Sequence, residues 1–185
     1  MLAVLMLRLY LGQVSASLAV KILIMELSIK NKYAQMVRVY RRLAQISINT
    51  GHKISNTEAK DTAEEIFNQC YHLKDYFKKD KKLNRSFNVE EYVNENPYLS
   101  LAADYCNTFK HGGLDKKPRL GKNIEQINTH LFILHPSKTG FSNFTRLEIR
   151  VDGKSYDVFA IASECLKAWN DFLRTAGRED IINLV

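Results

Sequence analysis

The hydrophobic period of this chain changes once, near Gly121, and that change limits the fold more than any other feature. Before it, apolar residues return at helical spacing. Ile29, Tyr33, Met36, Val37, Tyr40, Leu43 and Ala44 form one stripe, running to about Ile48. A polar connection from Thr50 to Thr57 separates it from a second stripe of Ala63, Ile66, Phe67, Cys70, Leu73 and Phe77, whose reverse face carries Glu65, Gln69, His72 and Tyr76. Asn88 and Glu91 read as a capping box for a short helix. After Gly121 the period is two: Leu147, Ile149 and Val151 alternate with Arg146, Glu148 and Arg150, and Asp152-Gly153 is a hairpin turn signal. A short apolar run, Leu131 to Leu134, is expected to stop at Pro136. Asp157 then caps a last helix with Ile161, Cys165, Ala168, Trp169, Phe172 and Leu173 inside, ended by Gly177. The expected fold is mainly α, a helical bundle with a small antiparallel hairpin or meander at 131–158 before the last helix.

The ends read differently from this core. Residues 1–24 are apolar apart from a small polar centre and contain no acidic residue. They suit upstream sequence ahead of a start at Met25 or a loosely attached extension; a signal peptide with a small-residue site at Val14-Ser15-Ala16 is the alternative. A spanning helix would bury Arg8, Gln13 and Lys21, so no membrane partner is expected unless this segment is a genuine anchor. Residues 25–177 form the expected domain and 178–185 a C-terminal tail. Cys70, Cys106 and Cys165 are odd in number and far apart, which fits a reducing compartment, the cytoplasm, better than a disulfide framework.

The segment Asn96 to Gly113 carries the candidate chemistry. Asn96 can cap, Pro97 suits the first turn, and Gly112-Gly113 can supply a left-handed stop. Tyr98, Leu101, Ala102, Tyr105 and Phe109 gather on one side of this helix, with Asp104, Asn107 and His111 in a narrow arc opposite. Such a face can present titratable groups to a groove, or it can be an ordinary solvated surface. His72 with Asp75 three residues on forms a second candidate pair. The net charge of +7 permits an anionic partner, and Lys78, Lys79, Lys116, Lys117 and Arg119 are the candidate nucleic-acid contacts. No metal or cofactor is expected. Cys70 and His72 point to nearly opposite sides of one helix, and Cys106 and His111 diverge by about 140°.

Two motifs, CYHLKDYF at Cys70–Phe77 and DYCNTFKHGGL at Asp104–Leu114, resemble the paired helices of a group of uncharacterised bacterial HEPN-like proteins. That group often ends, as here, with a hairpin and a Trp-containing helix, so the resemblance covers roughly Met25 to Gly177. It implies an all-helical bundle that often dimerises and acts on RNA without metal, in the manner of toxin or phage-defence ribonucleases. It also implies catalytic or binding roles for His111, Asn107, Asp104 and Lys110. The chain departs from the ribonuclease pattern at Cys106, which stands where those members carry Arg. Two function classes follow: a metal-independent endoribonuclease or RNA-binding protein with a degenerate motif, and a non-catalytic module for protein interaction or homodimerisation.

Overall fold

Four of the helices start under a side chain that accepts from backbone donors of the first turn. The computed structural model describes residue 20 and residues 28–47, 55–80, 83, 87–110, 118–121, 124–137 and 140–183, with side chains described except at 109–110, 126 and 131–144. Helix α1 spans 28–47. Helix α2, Asn56–Lys79, is capped by Ser55, which accepts from Glu58 N. Helix α3, Val89–Glu95, is capped by Asn88, which accepts from Glu91 N as its sequence implied. Helix α4, Pro97–Lys110, begins under Asn96, whose Oδ1 accepts from Tyr98 N at 3.1 Å and Leu99 N at 3.0 Å. Strands β1 (Ile124–Ser137), β2 (Gly140–Val151) and β3 (Lys154–Asp157) precede helix α5, Val158–Thr175. Asp157 caps α5 through Ala160 N, and a four-residue helix α6, Glu179–Ile182, follows.

The chain is mainly helical with a small antiparallel sheet ahead of α5, as the change of period required. Helix α1 runs antiparallel to both α5 and α2. Tyr33 donates to Asn170 and Tyr40 stacks on Phe159 at 5.4 Å, while Arg42 pairs with Glu65 and Lys32 lies over Tyr76. Helices α2 and α5 run parallel. Phe77 packs edge-on against Trp169 and stacks on Phe172, and the Trp169 indole donates to the Cys70 carbonyl at 3.0 Å. Helix α3 joins this aromatic cluster through Tyr92, 5.0 Å from Phe172 and donating to the Ala168 carbonyl.

The sheet has the order β1-β2-β3. Leu147, Ile149 and Val151 are buried on its inner face with Ile124 and Ile127, and Arg146 and Glu148 pair on the outer one. Asp152 (φ 48°) and Gly153 (φ 74°) make the two-residue turn that the Asp-Gly signal requires.

Three expectations on boundaries change. β1 begins at Ile124 rather than Leu131 and runs through Pro136, so the expected hairpin at 131–158 is longer at its front; Pro136 occupies an edge strand, where its missing donor is tolerated. Gln69, on the reverse face of the α2 stripe, is buried. The expected tail after Gly177 is part of the fold. Gly177 takes a left-handed φ of 65°, and Arg178 N reaches back to Leu173 O at 2.8 Å, closing α5. Arg178 is then buried against Asp80, and Ile181 is fully buried. The readings of residues 1–24 lie outside the described residues, Val20 excepted. No helix among the described residues is long and apolar enough to cross a membrane.

The aromatic cluster predicts one outcome for stability. Trp169→Ala removes the largest fully buried side chain and its hydrogen bond. It should cost about 3–5 kcal/mol, read as a lower urea midpoint followed by circular dichroism.

Candidate functional site

The motif helix α4 is buried on more than one side. Leu99, Ser100, Ala102, Ala103, Asp104 and Tyr105 are each no more than 2% exposed. The arc of Asp104, Asn107 and His111 is therefore not a solvated face along its length. Asp104 sits beneath the chain segment that returns after the motif: Arg119 N donates to its Oδ1 at 2.9 Å and Leu120 N to its Oδ2 at 3.1 Å. Each carboxylate oxygen holds a backbone donor, so Asp104 is an anchor for that segment rather than a group free to exchange protons with a substrate. Asn107 is half-buried. His111, with Lys116 and Lys117, lies outside the described residues, and Lys110 is placed at the end of α4 without a described side chain.

Anchoring Arg119 has a consequence for charge. Its guanidinium reaches α3, donating to Glu90 Oε2 at 3.4 Å and to Asn94. Lys74, one turn before Lys78 on α2, donates to Glu90 Oε1 at 2.7 Å, and Lys78 binds the same oxygen. Tyr71 completes the group, with Lys74 Nζ 4.2 Å and the Arg119 guanidinium 5.6 Å from its ring centre. Burial pushes the Glu90 carboxyl up, but the hydrogen bonds and charges of Lys74 and Lys78 outweigh it and hold the group at about 2. Three cations thus share Glu90, and with Asp104 counted the cluster keeps a net charge of +1. Lys74 is nearly buried, whereas Lys78 and Arg119 remain partly open to solvent.

Of the candidate nucleic-acid contacts, Lys78 and Arg119 therefore meet, although 41 residues separate them. Lys79 turns instead over the Tyr76 ring at 5.6 Å. Sequence reading grouped Lys74 with Lys78 in one basic run but gave Glu90, Tyr71 and Asn94 no part in the site. The i, i+4 spacing of Lys74 and Lys78 was the available signal, but nothing local tied it to Glu90. His72 and Asp75 form their expected pair at 3.2 Å on the surface, each side chain more than a third exposed. His72 therefore lies apart from Cys70, which is buried.

Position 106 is the most informative of the motif. Cys106 is 4% exposed and shares the core with Cys70 and Cys165 where α2, α4 and α5 meet. None of the three forms a disulfide. A hydrogen bond with Cys70, followed by burial, holds the Cys165 thiol well above its ordinary range, so it stays protonated. A cleft of about 110 Å³ is lined by Pro97, Tyr98, Leu101, Leu120, Val151, Tyr156 and Ile161. It explains why Tyr98, expected in the packed stripe, is 39% exposed. It offers no titratable group suited to proton transfer near neutral pH. Comparison with protein-family models, curated proteins and solved structures gives no match for this chain.

Two outcomes follow for this site. Asp104→Ala removes the charged acceptor of two part-buried backbone donors and should destabilise the fold by about 2–4 kcal/mol, measured by urea unfolding. The Glu90 carboxyl is lower in the folded chain than in the unfolded one, so its stabilisation is present above the unfolded value of about 4.3 and fades as pH falls toward 2. Melting temperatures taken from pH 6 down to about 2 should therefore fall less steeply in Glu90→Gln than in the wild type.

Proposed function

We propose that the chain is a HEPN-like, RNA-directed protein that binds phosphate through the cations gathered on Glu90 and needs no metal. The observation that carries this reading is the convergence of Lys74, Lys78 and Arg119 beside the motif helix. Lys78 and Arg119 can each give hydrogens to a phosphate oxygen while Glu90 keeps them in place, and Arg119 has the planar fork suited to that group. His111 follows Asp104 by seven residues in the sequence, one position past the last residue of α4. If the imidazole is engaged, it takes the proton of a ribose 2′-hydroxyl or gives one to the leaving oxygen. The cations would balance charge that grows on the phosphate. That is the chemistry of a metal-independent endoribonuclease.

The second reading is a non-catalytic interaction module, and burial of Cys106 favours it. A side chain packed among Cys70, Cys165 and Tyr105 cannot reach an external phosphate, so the usual guanidinium has no replacement at that position. Loss of one such stabiliser costs on the order of 10²–10³ in rate. A binding role survives this loss; turnover survives only if Lys78, Lys110 or Arg119 substitutes.

Metal-free incubation of purified protein with total RNA separates the readings. Under the first, the wild type cleaves RNA and His111→Ala is slowed roughly 100-fold or more. Arg119→Ala should weaken RNA binding and lower the slope of log affinity against log salt by about 1. Cleavage equal in the wild type and His111→Ala would leave only binding. Absence of RNA binding at low salt would remove both forms of the proposal.

A further inference from the structure

The cleft at the start of α4 has a buried apolar floor and an aromatic rim. Leu101, Val151 and Ile161 are each no more than 7% exposed, whereas Tyr98 and Tyr156 are 39% and 40% exposed. Among the described residues only Val20 joins them as a large hydrophobic side chain left in solvent, so two of the three line one cleft. Neither tyrosine hydroxyl has a hydrogen-bond partner among the described residues.

Size and charge restrict the occupant. An enclosed apolar cavity of about 150 Å³ holds one benzene ring. An open cleft of about 110 Å³ therefore takes one planar ring and no drug-sized ligand. No charged side chain lines it. The start of α4 adds no place for an anion: Pro97 has no donor, and the Tyr98 and Leu99 donors are held by Asn96. What enters is neutral and flat, and any charge tethered to it lies outside.

The cations are next to the cleft along the chain. Leu120 lines the cleft, and its neighbour Arg119 belongs to the Glu90 cluster. The two are fixed together, because both backbone donors bind Asp104. On α3, Asn94 holds the Arg119 guanidinium three residues before Pro97 opens α4 at the cleft. A neutral ring in the cleft with an anion on Lys78 and Arg119 has the composition of a nucleotide, a base joined through ribose to phosphate. A protein side chain would need an acidic group at a matching offset, whereas every nucleotide carries its own.

We infer, on the footing of the RNA-directed reading, that the cleft is a base subsite, taking one unpaired base of an RNA strand whose phosphate lies on Lys78 and Arg119. The ring rests against Tyr98 and Tyr156, and Leu101, Val151 and Ile161 close off its far edge. Aromatic side chains hold unpaired bases in this way with little regard to sequence. A base within a duplex is stacked on its neighbours and cannot enter.

Binding of two oligomers of equal length tests it: 2′-O-methyl oligouridylate, which resists cleavage through its blocked 2′-oxygen, and the same backbone without bases. The wild type should hold oligouridylate the more tightly. Tyr98→Ala and Tyr156→Ala should each weaken oligouridylate binding roughly 5- to 100-fold, with abasic affinity, salt slope and circular dichroism unchanged. Arg119→Ala should instead weaken both oligomers and lower the salt slope. Tyr156→Trp keeps a ring at the rim, so it should retain the preference. Oligouridylate, but not the abasic oligomer, should quench the added indole emission. This variant decides the matter if an alanine variant fails to fold. Equal, salt-dependent affinity of the wild type for both oligomers overturns the base subsite while the phosphate reading stands, and leaves the cleft to a protein side chain. A full preference retained in folded Tyr98→Ala and Tyr156→Ala, or no quenching in Tyr156→Trp, also overturns it. Failure to bind either oligomer removes the RNA-directed reading and the subsite with it.

Discussion

One buried carboxylate ties the motif helix to the segment that leads into the sheet. Asp104 lies in the middle of α4, and its two oxygens hold the backbone donors of Arg119 and Leu120. A buried charge is tolerated only where hydrogen bonds replace its lost water, and here the replacement is the polypeptide itself. The segment that holds Asp104 is thereby fixed over α4, and β1 begins three residues after Gly121. Ile124 and Ile127 then join the core.

The same anchor sets the electrostatics. Once Arg119 is held by its backbone, its guanidinium has Glu90 and Asn94 within reach, and Glu90 already binds Lys74 and Lys78. A second buried ion pair, Arg178 with Asp80, closes the far end of α2 onto the end of α5. The two pairs differ in balance. Arg178 has two carboxylates, Asp80 and Asp180, and Asp180 is held below its usual range by Arg178. The Glu90 group carries more cations than anions, which makes it the better place for an external anion. Its position beside the motif helix is what gives the RNA-directed proposal physical content.

Much of the fold was legible because its signals are local. Asn88, Asn96 and Asp157 cap helices where the spacing places them, and Asp152-Gly153 turns the hairpin with the left-handed backbone it favours. Leu147, Ile149 and Val151 are buried as their alternation requires. The errors arose where distant chain covers a face. Period alone sets Asp104 and Gln69 opposite the apolar stripes of their helices, yet both are buried, the first beneath the returning segment. Burial of Arg178 depends on Asp80, 98 residues away.

The sequence by itself determined where the long helices lie, how several of them are capped, and that a small antiparallel sheet comes before the last long helix. Caps, turns and hydrophobic periods act over a few residues, so they can be read without knowing what lies opposite. Only the tertiary structure decided that the aspartate of the motif is an anchor, that position 106 belongs to the core, and that Lys78 and Arg119 share Glu90. Those outcomes depend on which surfaces come together. Burial and charge pairing are properties of the pair of surfaces, not of either stretch of chain.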